Sequence, residues 1–400
     1  MKNSLRAAAC ITGIGESAVG KVPSSSALSL MEDAAAAAMI DAGLGASQID
    51  GVLTGRSMVA PLHRVAVILS ERLGISPHYF GTLEAGGATS VQLLLEAHQA
   101  VAAGHARHVL CVAGDNLLTG LTRDAAVQAM AENAHPDFEV PFGTFPAAAY
   151  ALVARAHMDK YGTTREQLAS LAASTRAWAR RNPLAQMQEP LSVDQVLAAK
   201  PVADPLGLFD CALVSDGGGA FIVSAPGAAR ESARESVWIL GTGEAATHEY
   251  ITRSPSLVSF ASVHSGKAAF QMAGLQTKDV DLVEIYDCFT ITPVVVLEDL
   301  GFCRKGEGGP FVGGGRTGPG GASPMNTHGG LLSHAHPGKP GGIFHVTEAV
   351  RQLRGEATGR QVQDAEVALV HGVGGMMSAH ATALLGGPST ATRAVRAQAA

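Results

Sequence analysis

The sequence predicts a layered α/β protein built from two duplicated halves, and three observations carry that expectation. Strand-like and helix-like segments alternate along most of the chain; a Gly-x-Gly-Glu strand end occurs twice, in Ile11–Glu16 and in Ile239–Glu244; and two further pairs of segments recur in the same order at nearly constant offset. Alternating strands and helices bury a sheet between helical layers. Recurrence of the units in order signals internal duplication. Composition agrees: 46% of the 400 residues are apolar, only 16% are charged, and 47 are glycine, which suits a well-buried enzyme-like chain.

Taken in order, the first strand ends at Gly13-Ile14-Gly15-Glu16. A helix follows, closing at Ala42-Gly43-Leu44, and leads into the strand Ile49-Asp50-Gly51-Val52. Its counterpart closes at Ala273-Gly274-Leu275 before Val280-Asp281-Leu282-Val283, and a glycine that caps a helix ahead of a β-branched run is the shared signal. The third pair is Gly87 to Gly104 before Val109–Gly114, and Gly338 to Gly355 before Val367–Gly372. The boundary between halves falls near 225–236, in the small, turn-prone SAPGAARESARES. The halves are therefore expected at 1–230 and 231–388, with a flexible tail at 389–400. An insertion at about 116–205 has no counterpart and carries helical stretches such as YALVARAHMDKYG and REQLASLAASTRAWARR.

Several function classes drop out. A formal charge of −6 without a long basic run gives no reason to expect nucleic acid. The five cysteines (Cys10, Cys111, Cys211, Cys288, Cys303) are odd in number, scattered and without CxxC, which argues against a disulfide framework or zinc ribbon. The apolar stretch before Cys10 is too short for a signal segment, and no run reaches membrane-spanning length, so a cytoplasmic protein off the membrane is expected. GIGESA at 13–18 matches a dinucleotide fingerprint, but its recurrence at 241–244 is not what one cofactor requires.

The second half carries HAHPGKPGG at 334–342, with Glu284-Ile285-Tyr286-Asp287-Cys288-Phe289-Thr290 upstream and His371-Gly372-Val373-Gly374-Gly375 downstream; Ser215-Asp216-Gly217-Gly218 closes the first half. With these motifs, the duplicated chain resembles the thiolase superfamily over essentially its whole length, and within it the sterol-carrier, lipid-transfer branch. The resemblance implies a thiolase fold of five αβαβα layers, a homodimer, and a coenzyme A thioester as substrate with no tightly bound cofactor.

The departures from that family decide the expected chemistry. Thiolases use a nucleophilic cysteine near the start of a first-half helix and a second cysteine in the last glycine-rich loop. Here the first position falls at about Gly87, and the second is His371. Glycine cannot replace a thiolate activated at a helix N-terminus. What survives suits retro-aldol cleavage: the sequence resembles members of the branch that shorten steroid or bile-acid side chains, which lack the cysteine and carry Tyr in Tyr-Asp-Cys-Phe. That likeness implies Tyr286 as acid/base on a β-hydroxyl, His336 polarising the thioester, His371 and His334 as supporting proton carriers, and a zinc-ribbon/OB-fold (DUF35-type) partner protein. A non-catalytic acyl-CoA-binding subunit and a thiolase-like acyltransferase remain as alternatives.

Each residue also has a plainer reading. His334 can be a loop histidine, His371 can cap its strand, and Tyr286 can pack with a satisfied hydroxyl. No carboxylate cluster beside His334-x-His336 completes a metal site, so no metal is expected. Cys288 has apolar neighbours and reads as a small hydrophobe. The glycine-rich run 306–321 is a mobile cover or merely a permissive connection. Arg176, Arg180 and Arg181 share one helix side and could meet coenzyme A phosphates, or simply face solvent.

Overall fold

The computed structural model describes residues 5–131, 133–230 and 232–390. The first half gives five strands to the main sheet: β1 (Cys10–Glu16), β2 (Gly51–Gly55), β3 (Tyr79–Leu83), β4 (His108–Asn116) and β5 (Asp216–Ser224). Four come from the second: β6 (Val237–Ala246), β7 (Leu282–Ile285), β8 (Val367–Gly374) and β9 (Ala379–Gly386). They form one mixed sheet in the order β3-β2-β4-β5-β1-β6-β9-β8-β7. The half-sheets meet at a short antiparallel seam, Cys10 opposite Trp238 and Ile11 opposite Val237.

Helices complete the five layers. On the outer face of the first half-sheet lie α1 (Ala27–Ala42) and α2 (Val65–Leu73). Between the half-sheets run α3 (Thr89–Ala102) and, from the second half, a helix at Ile343–Leu353; each touches strands of both halves. The insertion supplies α4 (Pro146–Tyr161) and α5 (Arg165–Ala179). On the second half's outer face lie α6 (Ser262–Ala273) and α7 (Ile291–Asp299), and the middle-layer helix at 343–353 is α8. Both anticipated helix caps are present, Gly43 at φ 70° and Gly274 at φ 64°, where only glycine is unstrained.

The repeated Gly-x-Gly has a packing cause. A Cβ on Gly13 would sit 2.4 Å from the Ala38 carbonyl oxygen, and one on Gly15 2.3 Å from that of Ala34, both on α1. In the second half, Gly241 and Gly243 stand in the same relation to Ala269 and Ser265 of α6, at 2.2 and 2.3 Å. The glycines let each outer helix lie directly on its strand. The glutamate after each pair reaches a middle-layer helix: Glu16 accepts from Arg351 on α8 at 2.7 Å, and Glu244 from Gln92 on α3 at 3.2 Å.

Of the expected tail at 389–400, residues 391–400 lie outside the described residues. The glycine-rich run 306–321 folds into short helical turns against α5, where the Trp178 indole donates to the Thr317 carbonyl at 2.9 Å; it does not cover the cavity described below. Among the described residues, no helix is long and apolar enough to cross a membrane.

Candidate active site

A cavity of about 270 Å³ opens where the two halves and the insertion converge. The first half contributes Gly86 and Gly87 at the approach to α3, the insertion contributes Phe145 and Tyr150, and the second half contributes Tyr286, Cys288, His336 and Gly338. Its walls are largely apolar, so a few polar groups decide what chemistry it supports.

Tyr286 leaves the end of β7, its backbone N–H donating to the His371 carbonyl of neighbouring β8 at 2.9 Å. The ring is 5% exposed and its hydroxyl lies 3.0 Å from Nε2 of His336 and 3.3 Å from the Gly338 carbonyl. A Cβ on Gly87 would stand 2.2 Å from Cζ of Tyr286 and 2.4 Å from the Val373 carbonyl oxygen. The space into which a side chain at 87 would project is therefore filled by the tyrosine ring. Sequence reasoning located Gly87 but had no means of seeing that its missing side chain and Tyr286 occupy one volume.

His336 is held by the first half of the chain. Its Nδ1 lies 3.0 Å from the Leu213 carbonyl, and its backbone N–H donates to Ser215 Oγ at 3.0 Å. A carbonyl only accepts, so Nδ1 carries the hydrogen. In the neutral ring Nε2 then bears the lone pair and accepts from Tyr286. Burial holds His336 down at about 4 against the Leu213 hydrogen bond that favours the cation, and burial pushes the Tyr286 phenol well above 10. The resting pair is thus neutral, with His336 as acceptor. The sequence-based expectation of His336 as a donor to the thioester is corrected on this point: its only N–H is committed to Leu213.

The structure does not bring the other two histidines to the cavity. His371 points to the outer face of the second half-sheet, with Nδ1 2.9 Å from Thr382 Oγ1 and Nε2 3.0 Å from His380 Nδ1, while His380 Nε2 donates to the Met377 carbonyl at 3.1 Å. It serves the site through its main-chain carbonyl. Burial, then the neighbouring His380, hold it well below its ordinary range. His334 is buried beside Asn182, whose amide donates to Nδ1 at 3.2 Å, and burial lowers it to about 3.

The three arginines also lie off the cavity. Arg176 is 4% exposed, with Nε donating to Ser333 Oγ at 2.8 Å, and Arg181 lies over the Trp178 ring. The cation that does line the cavity is Lys339, paired at 3.0 Å with Glu84. Cys211 and Cys288 line it too, but burial pushes their thiols to about 12 and about 11, which suits packing rather than attack. Tyr150 stacks on Phe289 at 4.5 Å and donates to the Gly375 carbonyl at 3.1 Å, a wall residue supplied by the insertion.

With a duplicated five-layer fold the comparisons with known proteins agree. The thiolase N-terminal domain model matches residues 7–225, and the thiolase C-terminal domain-like model matches 243–387. The chain belongs to the thiolase family. It is 35% identical over 376 residues (91% of this chain, 96% of the relative) to a protein of Methanothermobacter thermautotrophicus named acetyl-CoA acetyltransferase. It is 31% identical over 385 residues (92% and 96%) to a steroid side-chain-cleaving aldolase of Thermomonospora curvata. Among solved structures, one described as an Ltp2-ChsH2(DUF35) aldolase matches with a TM-score of 0.85 and 30% identity, covering 96% of this chain and 99% of that one.

Proposed function

We propose that this chain is a carbon–carbon lyase that cleaves a β-hydroxyacyl-coenzyme A thioester by retro-aldol chemistry. The observation that carries the reading is the Tyr286 ring standing where a side chain at Gly87 would project, with its hydroxyl on the lone pair of His336. In the proposed reaction the substrate β-hydroxyl gives its proton to Tyr286 as Tyr286 passes its own to His336 Nε2. The Cα–Cβ bond breaks, releasing a ketone or aldehyde and leaving the thioester enolate. The imidazolium returns the proton through Tyr286 to the α-carbon, giving the shorter acyl-coenzyme A. Concerted transfer avoids a free tyrosinate, which burial makes costly. The N-terminal end of α3, entered through Gly86 and Gly87, offers its dipole to the developing enolate oxygen.

A steroid side-chain thioester is the proposed substrate class, supported by the Thermomonospora curvata relative's name. A DUF35-type partner is proposed on the description of the solved aldolase, and a homodimer on the outer edge of β3 at the end of the sheet. Acyl transfer is a second reading, favoured by the name of the Methanothermobacter thermautotrophicus relative; Cys288 is the cavity-wall thiol it would have to use, against the burial that holds that thiol protonated.

The deciding experiment supplies steroid-type β-hydroxyacyl-coenzyme A to the chain alone and with a DUF35-type partner, without free coenzyme A. Release of a short acyl-coenzyme A plus a carbonyl product is expected, falling about 10²–10⁴-fold in Tyr286→Phe. An acyl adduct on Cys288 by intact mass would move the reading to acyl transfer. Tight binding without cleavage under either pairing would leave only a carrier or inert subunit.

A further inference from the structure

Behind Tyr286, away from the cavity, lies a closed group of polar side chains with no role in the chemistry above. Glu284, at the end of β7, His328, in the loop after Met325, and His345, on α8, are each 1% exposed or less. One potential ligand atom from each lies within 4.8 Å of the other two. We propose that these three residues form a buried binding site for a divalent transition metal, with zinc as the ion their donor set fits.

The argument rests on unmet hydrogen bonding. His328 Nδ1 is 3.0 Å from Glu284 Oε2, the separation of a hydrogen bond, yet neither atom is aligned to make one. Both nitrogens of His345 are buried and likewise without a hydrogen-bond partner among the described residues, as is Nε2 of His328. A buried polar group left without a hydrogen bond is costly, because it has given up water and gained nothing in return. A protonated His328 facing Glu284 would answer part of this, but it would need the missing alignment and would leave unexplained His345, whose Nε2 stands 3.5 Å from Asp287 Oδ1 without bonding to it. Side chains that stand close without pointing at one another are what ligands of a common third atom look like.

The scaffold fixes two of the three donors. Glu284 Oε1 accepts from the Thr327 backbone N–H at 2.9 Å, which leaves Oε2 for the group's interior. Asn326, at φ 51°, clamps Ile285 with both ends of its amide, at 2.8 Å each, and so sets the loop bearing His328 against β7. Oriented carboxylates and histidines of this kind are how proteins tune a bound metal. Two imidazoles and one carboxylate suit zinc at bond lengths near 2.0–2.2 Å, with tetrahedral edges of roughly 3.4 Å. The Glu284–His328 pair needs to open by only a few tenths of an ångström to reach that edge. A water can complete four-coordination.

The test is elemental analysis of the full chain, expressed with zinc, purified without an affinity-metal step and dialysed. Close to one zinc per chain is expected. Chelator treatment should lower Tm, and one equivalent of zinc should restore it. Cobalt(II) in place of zinc should give the visible absorption of a four-coordinate nitrogen/oxygen site, and His345→Gln should lose both metal and colour. Wild-type chain that is metal-free as purified, and neither stabilised nor coloured by the added ions, would overturn the proposal. So would equal zinc retention in wild type, Glu284→Gln and His345→Gln. If the variants fail to fold, loading of the wild type still decides. None of these readouts depends on lyase activity.

Discussion

At Gly87 the molecule has no spare volume, and that makes the residue the most sensitive single test of the site. A methyl group there would overlap Cζ of Tyr286 and the Val373 carbonyl oxygen, one of them backbone, so the ring must move. Gly87→Ala is expected to cut turnover at least as much as Tyr286→Phe. A loss of about 1–3 kcal/mol of stability should accompany it if the ring is merely pushed aside. Activity assayed beside urea unfolding checks both, and unchanged turnover would mean Tyr286 is not where catalysis happens. His336 makes a second prediction. Only its neutral form accepts a proton, and burial holds it at about 4, so kcat/KM should stay flat from pH 8 down past the usual histidine range. An acid limb near 6.5 instead would show that His336 does not supply the lone pair.

Among the elements, the outer helices depend on the glycine pairs of β1 and β6. Gly15→Ala or Gly241→Ala would force a Cβ into a carbonyl oxygen of α1 or α6 at 2.3 or 2.2 Å, lifting the helix. Each variant should lower Tm, at a cost of about 1–3 kcal/mol, without altering cavity residues. Wild-type Tm in both would mean that the helices do not need this close approach. The same elements show what was legible beforehand. The duplication, the caps at Gly43 and Gly274 and the insertion helices could be read because glycine placement and apolar periodicity are local signals. The direction of His371 could not: all eight residues of β8 are buried, so no alternation of polar and apolar residues tells one face from the other. Arg176 failed similarly, since spacing along a helix reveals a shared side but not what covers it. The Glu284–His328–His345 group draws on three separate elements, and no sequence spacing announces it.

Over the whole molecule, buried neutral histidines set the acid limit of stability. His98, His336 and His380 are held at about 4 and His334 at about 3, in each case chiefly by burial, and His371 lies well below its ordinary value. Above about pH 6.5 neither folded nor unfolded chain protonates these rings, and they contribute nothing. As pH falls from there towards 4, the unfolded chain takes up protons that the folded one refuses, so stability is lost. A ring that titrates two pH units low accounts for roughly 2.7 kcal/mol once both states are protonated. Glu16 and Glu348, held at about 2, extend the loss to lower pH. Two groups work the other way: burial lowers His328 but Glu284, Glu348 and Asp287 together raise it, and burial raises Asp115 to about 6; these two oppose five rings. The urea midpoint at pH 5 should therefore fall well below that at pH 7.5; an equal or higher midpoint would refute the neutral assignment.

The contest between residue 87 and Tyr286 for one volume also constrains descent. A lineage exchanging a nucleophile at 87 for a tyrosine at 286 cannot install the newcomer while the old side chain stands, in either direction. The step between must be a chain with glycine at 87 and a residue smaller than tyrosine at 286, holding neither the nucleophile nor the tyrosine. Such an intermediate would survive only where binding alone was useful, or where a second gene copy kept the original reaction running.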